Sequence, residues 1–182
     1  MYWSRSLLSH ALFDRPVLGL AAFSGTGKTT LLKRLLPVLR DKDLRVAVIK
    51  QTHHDFDIDR PGKDSYEIRQ AGAAQIMIAA AHRWAVITEH PKAQTWSLAT
   101  LLSQLDPALC DLVLIEGAKR EAFPKLELHR PSLGKPLLFP DDPNIIAIAA
   151  DAALPVEPPV PLLPLGDTEA IATFIHQYCL AA

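Results

Sequence analysis

The chain has 182 residues, the size of one α/β domain, and 49% of them are apolar, enough to build a core covered on both faces. Lys plus Arg number 19 against 20 Asp plus Glu, a formal net charge of -1, which lacks the basic excess of a general nucleic-acid binder. Cys110 and Cys179 both lie in apolar patterns and read as buried thiols in a reducing compartment, not as a disulfide framework.

Residues 1–15 form an N-terminal extension with a short apolar stretch, Leu7, Leu8, Ala11, Leu12 and Phe13, broken by His10 and closed by Asp14. It has no small-residue cleavage site and so does not read as a secretory signal. No window approaches the roughly 20 apolar residues of a membrane helix, so a cytoplasmic protein without a membrane partner is expected. No linker divides the remainder, and residues 16–182 are expected to form a single domain.

Pro16 to Ala22 is a buried-strand pattern that opens into glycine-rich sequence. Leu31, Leu32, Leu35 and Leu36 then recur at helical spacing from Lys28 to Leu36, and Pro37 is expected to kink or end that helix. Leu44 to Ile49 reads as a second strand, followed by the polar stretch Lys50 to Asp59, a candidate functional loop. Asp64, three residues before Glu67, has the spacing of a capping box for a short helix stopped by Gly72. Gln75 to Ala80 and Trp84 to Thr88 are β-rich and closely spaced, an antiparallel hairpin. Ser97 caps a predicted helix through Leu105. Leu112 to Ile115 is a fully apolar strand ending at Glu116-Gly117, and the alternation in Lys125 to His129 predicts a half-exposed strand. Ile145 to Ala150 is again a buried strand. The proline-rich Leu154 to Pro164 is an extended connection packed on the body and a candidate last strand. Asp167 caps a final helix with Ile171, Phe174, Ile175 and Tyr178 on one face. Strands alternating with helices predict a three-layer α/β fold with a mostly parallel sheet and the hairpin as an antiparallel addition.

The chemistry concentrates at Ala22-Phe-Ser-Gly-Thr-Gly-Lys-Thr29, between the first strand and the first helix. It matches the phosphate-loop pattern G-x-x-x-x-G-K-[ST] except that Ala22 replaces the first glycine, which makes the predicted fold that of a P-loop NTPase. A polyphosphate needs several converging donors once water is displaced. Consecutive main-chain amides from Gly25 to Thr29 (Gly25, Thr26, Gly27, Lys28 and Thr29) suit that need, aided by the helix N-terminus, and Ser24 and Thr30 complete the candidate nucleotide-binding set. Lys28 supplies a mobile cation to the β- and γ-phosphates, and the Thr29 hydroxyl suits Mg2+. Glu116, at the end of an apolar strand, is the candidate for the metal's acidic side, and Gly117 follows with an N–H for the γ-phosphate. Asp111 starts that strand and belongs at the opposite edge of the sheet.

Lys50, His53, His54, Asp55 and Asp57 follow the second strand on the ligand-binding edge of a parallel sheet. Two functions suit them: a switch-like loop meeting the γ-phosphate and metal, or recognition of a second anionic ligand, with Lys63 and Arg69 adding positive charge. Zinc is disfavoured, because adjacent histidines rarely aim at one ion and no cysteine joins them. Asp151, after the strand Ile145 to Ala150, is a candidate guanine reader through N1–H and the exocyclic amine, although the usual Asn-Lys-x-Asp signature is absent. A turn or cap role serves it nearly as well.

The stretches Ala21 to Thr30, Lys50-Gln-Thr-His-His-Asp55, Pro61-Gly-Lys-Asp-Ser-Tyr66, Arg69-Gln-Ala-Gly-Ala-Ala74, Asp111 to Gly117 and Ile146 to Asp151 resemble, in this order, the molybdopterin-guanine dinucleotide biosynthesis adapter (MobB) family. The resemblance implies a GTP-binding, Mg2+-dependent P-loop protein with weak GTPase activity, usually a homodimer. It implies support for the molybdenum cofactor guanylyltransferase MobA, which attaches GMP to molybdopterin, with molybdopterin itself a candidate ligand. Carried over residue by residue, Gly25, Gly27, Lys28 and Thr29 hold phosphate and metal and Glu116 completes the metal side. His53, His54 and Asp55 lie near the γ-phosphate or face the cofactor. Phe23 stands where related ATPases place a signature lysine. Two other functions share the phosphate loop: a small-molecule kinase, which would use Arg60, Arg69, Arg83 or Arg120 over the phosphates, and a non-catalytic nucleotide-dependent adapter.

Overall fold

The computed structural model describes residues 13–52, 56–117 and 119–181. They divide into two compact units, one formed by the chain up to Gln51 together with Ser97 onward, the other by Thr52–Trp96.

The larger unit is built on a six-stranded sheet. Its strands are β1 (Val17–Ala21), β2 (Val46–Lys50), β5 (Leu112–Glu116), β6 (Lys125–His129), β7 (Ile145–Ala150) and β8 (Leu162–Pro164), in spatial order β2-β5-β1-β6-β7-β8. Every neighbouring pair is parallel. Period-two alternation sorts the side chains. Leu18, Leu20, Leu112, Leu114, Leu126 and Leu128 point to one face, where they pack with α1 (Lys28–Asp41) and α4 (Thr168–Ala181). Val17, Val113 and Ile115 face the other way, onto Phe123 and onto Leu98 and Leu102 of α3 (Leu98–Leu102). No helix among the described residues is long and apolar enough to cross a membrane.

Helix α1 runs through Pro37 instead of ending there. The proline removes one internal donor, but Leu39, one half-turn later, is fully buried, and the apolar gain offsets the lost bond. Lys42 and Asp43 then close the helix by donating to Leu39 and Arg40 carbonyls. At α4 the expected cap is present: the Asp167 carboxylate accepts from the Ala170 amide at 2.9 Å. Ile171, Phe174, Ile175 and Tyr178 are all buried, and the Tyr178 hydroxyl donates to the Val17 carbonyl at 3.0 Å. Asp111 lies before β5 at the edge remote from the phosphate loop. It pairs there with Arg45 at 2.7 Å, and that guanidinium holds its carboxyl down to about 2.

Strand β6 departs from the half-exposed reading, since all five residues are buried. The alternation is real, but its polar face is covered as well. Lys125 donates to the carbonyls of Lys119 and Glu121 and pairs with Asp142 at 2.8 Å. The Glu127 carboxylate accepts from the amides of Leu138 and Phe139, and burial raises its pKa. A buried charge is tolerated here because backbone groups of the covering segments satisfy it. The proline-rich segment supplies the short edge strand β8, paired with β7.

The smaller unit holds α2 (Asp64–Gln70) and an antiparallel hairpin of β3 (Gln75–Ala80) and β4 (Arg83–Thr88), a two-stranded sheet of its own. Asp64 is the first helical residue and Lys63 the N-cap, without a side-chain cap bond. The capping-box reading is therefore one residue out of place, although an acidic first turn still complements the helix dipole. Gly72, at φ 109°, ends the helix as expected, its amide donating to the Arg69 carbonyl.

Candidate functional site

The strand order reverses around β1, so its carboxyl end lies between those of β5 and β6, at a topological switch point where open α/β sheets bind ligands. The phosphate-loop candidate occupies that place. Ala21 ends β1, Gly25 and Gly27 adopt φ of 83° and 99°, and Gly27 is the N-cap of α1 with no side chain capping it. Those left-handed turns are cheap only for glycine. The amides of Gly27, Lys28, Thr29 and Thr30 have no backbone acceptor among the described residues. A helix start with free donors and no cap is suited to an anion. Thr26 is buried and shapes the turn, its hydroxyl donating to the Phe23 carbonyl at 2.9 Å.

The Lys28 ammonium donates back to the carbonyls of Ala22 and Phe23, at 3.2 and 3.3 Å. Burial lowers its pKa; Glu116 acts against this, while Lys119 and Lys50 add to it. The cations gather here. Lys50, the last residue of β2, has its Nζ 3.9 Å from Glu116 Oε2, and Lys119 Nζ lies 4.4 Å from the Phe23 ring centroid. Such a cluster favours a polyanion.

Glu116 ends β5 and is buried, and its Oε1 accepts from Thr29 Oγ1 at 3.2 Å. Two hard oxygens, one of them anionic, meet at the mouth of the loop, a donor set that fits Mg2+. Gly117 follows at φ 116°, and a Cβ there would lie 2.7 Å from the Gln51 carbonyl oxygen. The Gln51 amide in turn donates to the Glu116 carbonyl at 2.9 Å. The ends of β2 and β5 are thus laced together beneath the acidic side chain.

Of the sequence-predicted residues, Ser24, Gly25, Thr26, Gly27, Lys28, Thr29, Thr30, Glu116 and Gly117 converge on this edge. His53, His54 and Asp55 lie outside the described residues. Arg69 is bound within the smaller unit by Asp57 at 2.6 Å and Glu89 at 2.7 Å, with Tyr66 stacked on it. Asp151 pairs with Arg130, a residue that sequence reasoning did not single out. Arg130 directly follows β6, and its Nε donates to the Thr26 carbonyl at 2.8 Å. The available signal was a basic residue at the carboxyl end of a parallel strand; that β6 neighbours β1 becomes visible only in the folded sheet.

The chain as a whole is similar to proteins already known. A family model described as Molybdopterin guanine dinucleotide synthesis protein B matches residues 17–151, from the start of β1 to Asp151. The Molybdopterin-guanine dinucleotide biosynthesis adapter protein of Escherichia coli (strain K12) is 46% identical over 164 residues, covering 90% of this chain and 93% of its own length. The protein of the same name from Haemophilus influenzae is 43% identical over 163 residues, covering 90% and 89%. A solved structure of molybdopterin-guanine biosynthesis protein B superposes with a TM-score of 0.68 at 26% identity, covering 89% of this chain and 99% of that one. A MobB homologue from Bacillus stearothermophilus, at 22% identity and a TM-score of 0.65, shares the fold. A strand-loop-helix site of this form is shared with many nucleotide-binding folds, but the likeness here runs through nearly the whole chain, and this protein belongs to the molybdopterin guanine dinucleotide synthesis protein B (MobB) family.

Proposed function

We propose that this protein is a GTP-binding adapter of molybdopterin guanine dinucleotide synthesis, with weak Mg2+-dependent GTPase activity. The observation that carries the reading is the uncapped start of α1, where four amides without backbone acceptors stand beside Lys28 and the Thr29–Glu116 pair. The amides and Lys28 bind the phosphate chain. Thr29 and Glu116 would hold Mg2+, which when bound supplies positive charge against the developing charge of phosphoryl transfer.

Slow turnover fits the state of two of the arginines. Arg130 is matched by Asp151 and Arg69 by Asp57 and Glu89, so neither offers an uncommitted charge to the transferred phosphoryl group. The names of the relatives support the adapter role. On this reading the protein works in the cytoplasm, as a homodimer, beside the MobA guanylyltransferase that joins GMP to molybdopterin. Calorimetric titration with GTP and with ATP, with and without Mg2+, tests it. Saturable GTP binding that needs Mg2+ and is lost in Lys28→Ala, with the fold retained by circular dichroism, is the expected result. Unchanged affinity in Lys28→Ala refutes the site.

A further inference from the structure

The contacts of Arg130 divide its guanidinium between two tasks. Nε donates to the Thr26 carbonyl and Nη1 to the Asp151 carboxylate. Nη2 lies 3.7 Å from where a Cβ on Gly27 would stand, so the guanidinium also backs the last residue of the loop. In a trans peptide the C=O and N–H point in opposite directions. Holding the Thr26 oxygen towards Arg130 therefore turns the Gly27 N–H away from it. That amide belongs to the row without backbone acceptors at the start of α1. The pair is 38% and 31% exposed at its side chains, so it contributes little to stability through charge alone. Its effect lies in orientation.

We propose that Arg130 is a positioning residue for nucleotide binding: it fixes the Thr26–Gly27 peptide so that the Gly27 amide serves the phosphate chain, and Asp151 acts through Arg130 instead of reading the base. This rests on the phosphate-binding reading of the loop. It gives Asp151 a role that needs no Asn-Lys-x-Asp signature. It also joins the ends of β6 and β7 to the loop that follows β1.

The test is calorimetric titration of the full chain with non-hydrolysable GTP and ATP analogues in Mg2+. The proteins are the wild type, Lys28→Ala, Arg130→Ala, Arg130→Lys, Asp151→Ala and the double variant Arg130→Ala/Asp151→Ala. Arg130→Ala weakens both analogues about tenfold, the loss of one charge-assisted hydrogen bond, and leaves their ratio unchanged. Arg130→Lys does not restore binding, because a single ammonium lacks the fork that reaches two acceptors. Asp151→Ala weakens binding less, and the double variant matches Arg130→Ala, as coupled residues require. Should Arg130→Ala fail to fold in a thermal melt, Arg130→Lys carries the test alone. Wild-type affinity in the folded arginine variants overturns the proposal. So does a change in the GTP-to-ATP ratio when Asp151 is removed from the Arg130→Ala background, which would make Asp151 a base reader. A wild type that binds neither analogue, or a Lys28→Ala variant that binds as the wild type does, overturns the underlying phosphate-site reading instead.

Discussion

Replacing Gly117 by alanine probes how tightly the acidic side of the site is built. Gly117 sits at φ 116°, and the added Cβ would lie 2.7 Å from the Gln51 carbonyl oxygen and 3.3 Å from the Gln51 Cβ. The positive φ costs a non-glycine residue about 1–2 kcal/mol. The contact is with backbone, which yields poorly, and overpacking of this kind costs about 1–3 kcal/mol. Reduced freedom of the unfolded chain returns about 0.4–1 kcal/mol. The net loss is about 3 kcal/mol. Gly134 supplies the control in the same unit: its φ is 59° and a Cβ there meets nothing within 4 Å, so only the backbone cost remains. Gly134→Ala should therefore lose about 1 kcal/mol. Urea unfolding followed by circular dichroism measures both, and nucleotide affinity should fall in Gly117→Ala alone, because Glu116 is displaced with its neighbour. Equal destabilisation by the two substitutions would refute the close-approach argument.

Glu116→Gln should weaken Mg2+-dependent GTP binding about tenfold while leaving the fold intact, as read by titrations across Mg2+ concentrations; an unchanged Mg2+ dependence would remove Glu116 from the metal side. Tyr178→Phe leaves the buried Val17 carbonyl without its hydroxyl partner and should cost about 1 kcal/mol in urea unfolding, with nucleotide affinity unaffected. Asp111→Asn should be less stable than the wild type at neutral pH. Because the Arg45 guanidinium lowers the folded-state pKa of Asp111 from 3.8 to about 2, its stabilisation is present above 3.8 and drains away as pH falls towards 2. The two unfolding curves should converge in that window, and a gap that persists below it would show that the pair is not its source.

The strand-loop-helix around Lys28 was legible because each part carries its own local signal: an apolar run, two glycines in a turn and leucines at helical spacing. The final helix was legible for the same reason, with Asp167 and the spacing of Ile171, Phe174, Ile175 and Tyr178 agreeing. Residues whose meaning depends on distant partners were not legible. Pro37 read as a kink or a stop because propensity is local; that the helix does not stop there follows from the burial of Leu39, which is tertiary. Lys125 and Glu127 looked solvent-facing because alternation separates faces without saying what covers them; here the covering segments bring carbonyls and amides to meet the charges. Arg130 was invisible for the same reason, since its place beside the loop follows from β6 pairing with β1.

The most direct measurement is a crystal structure of the protein grown with Mg2+ and a non-hydrolysable GTP analogue. The polyphosphate should lie at the start of α1, on the amides of Gly27 to Thr30, with Lys28 turned from the Ala22 and Phe23 carbonyls to the phosphates. An analogue bound elsewhere, with that helix start in contact with solvent alone, would contradict it.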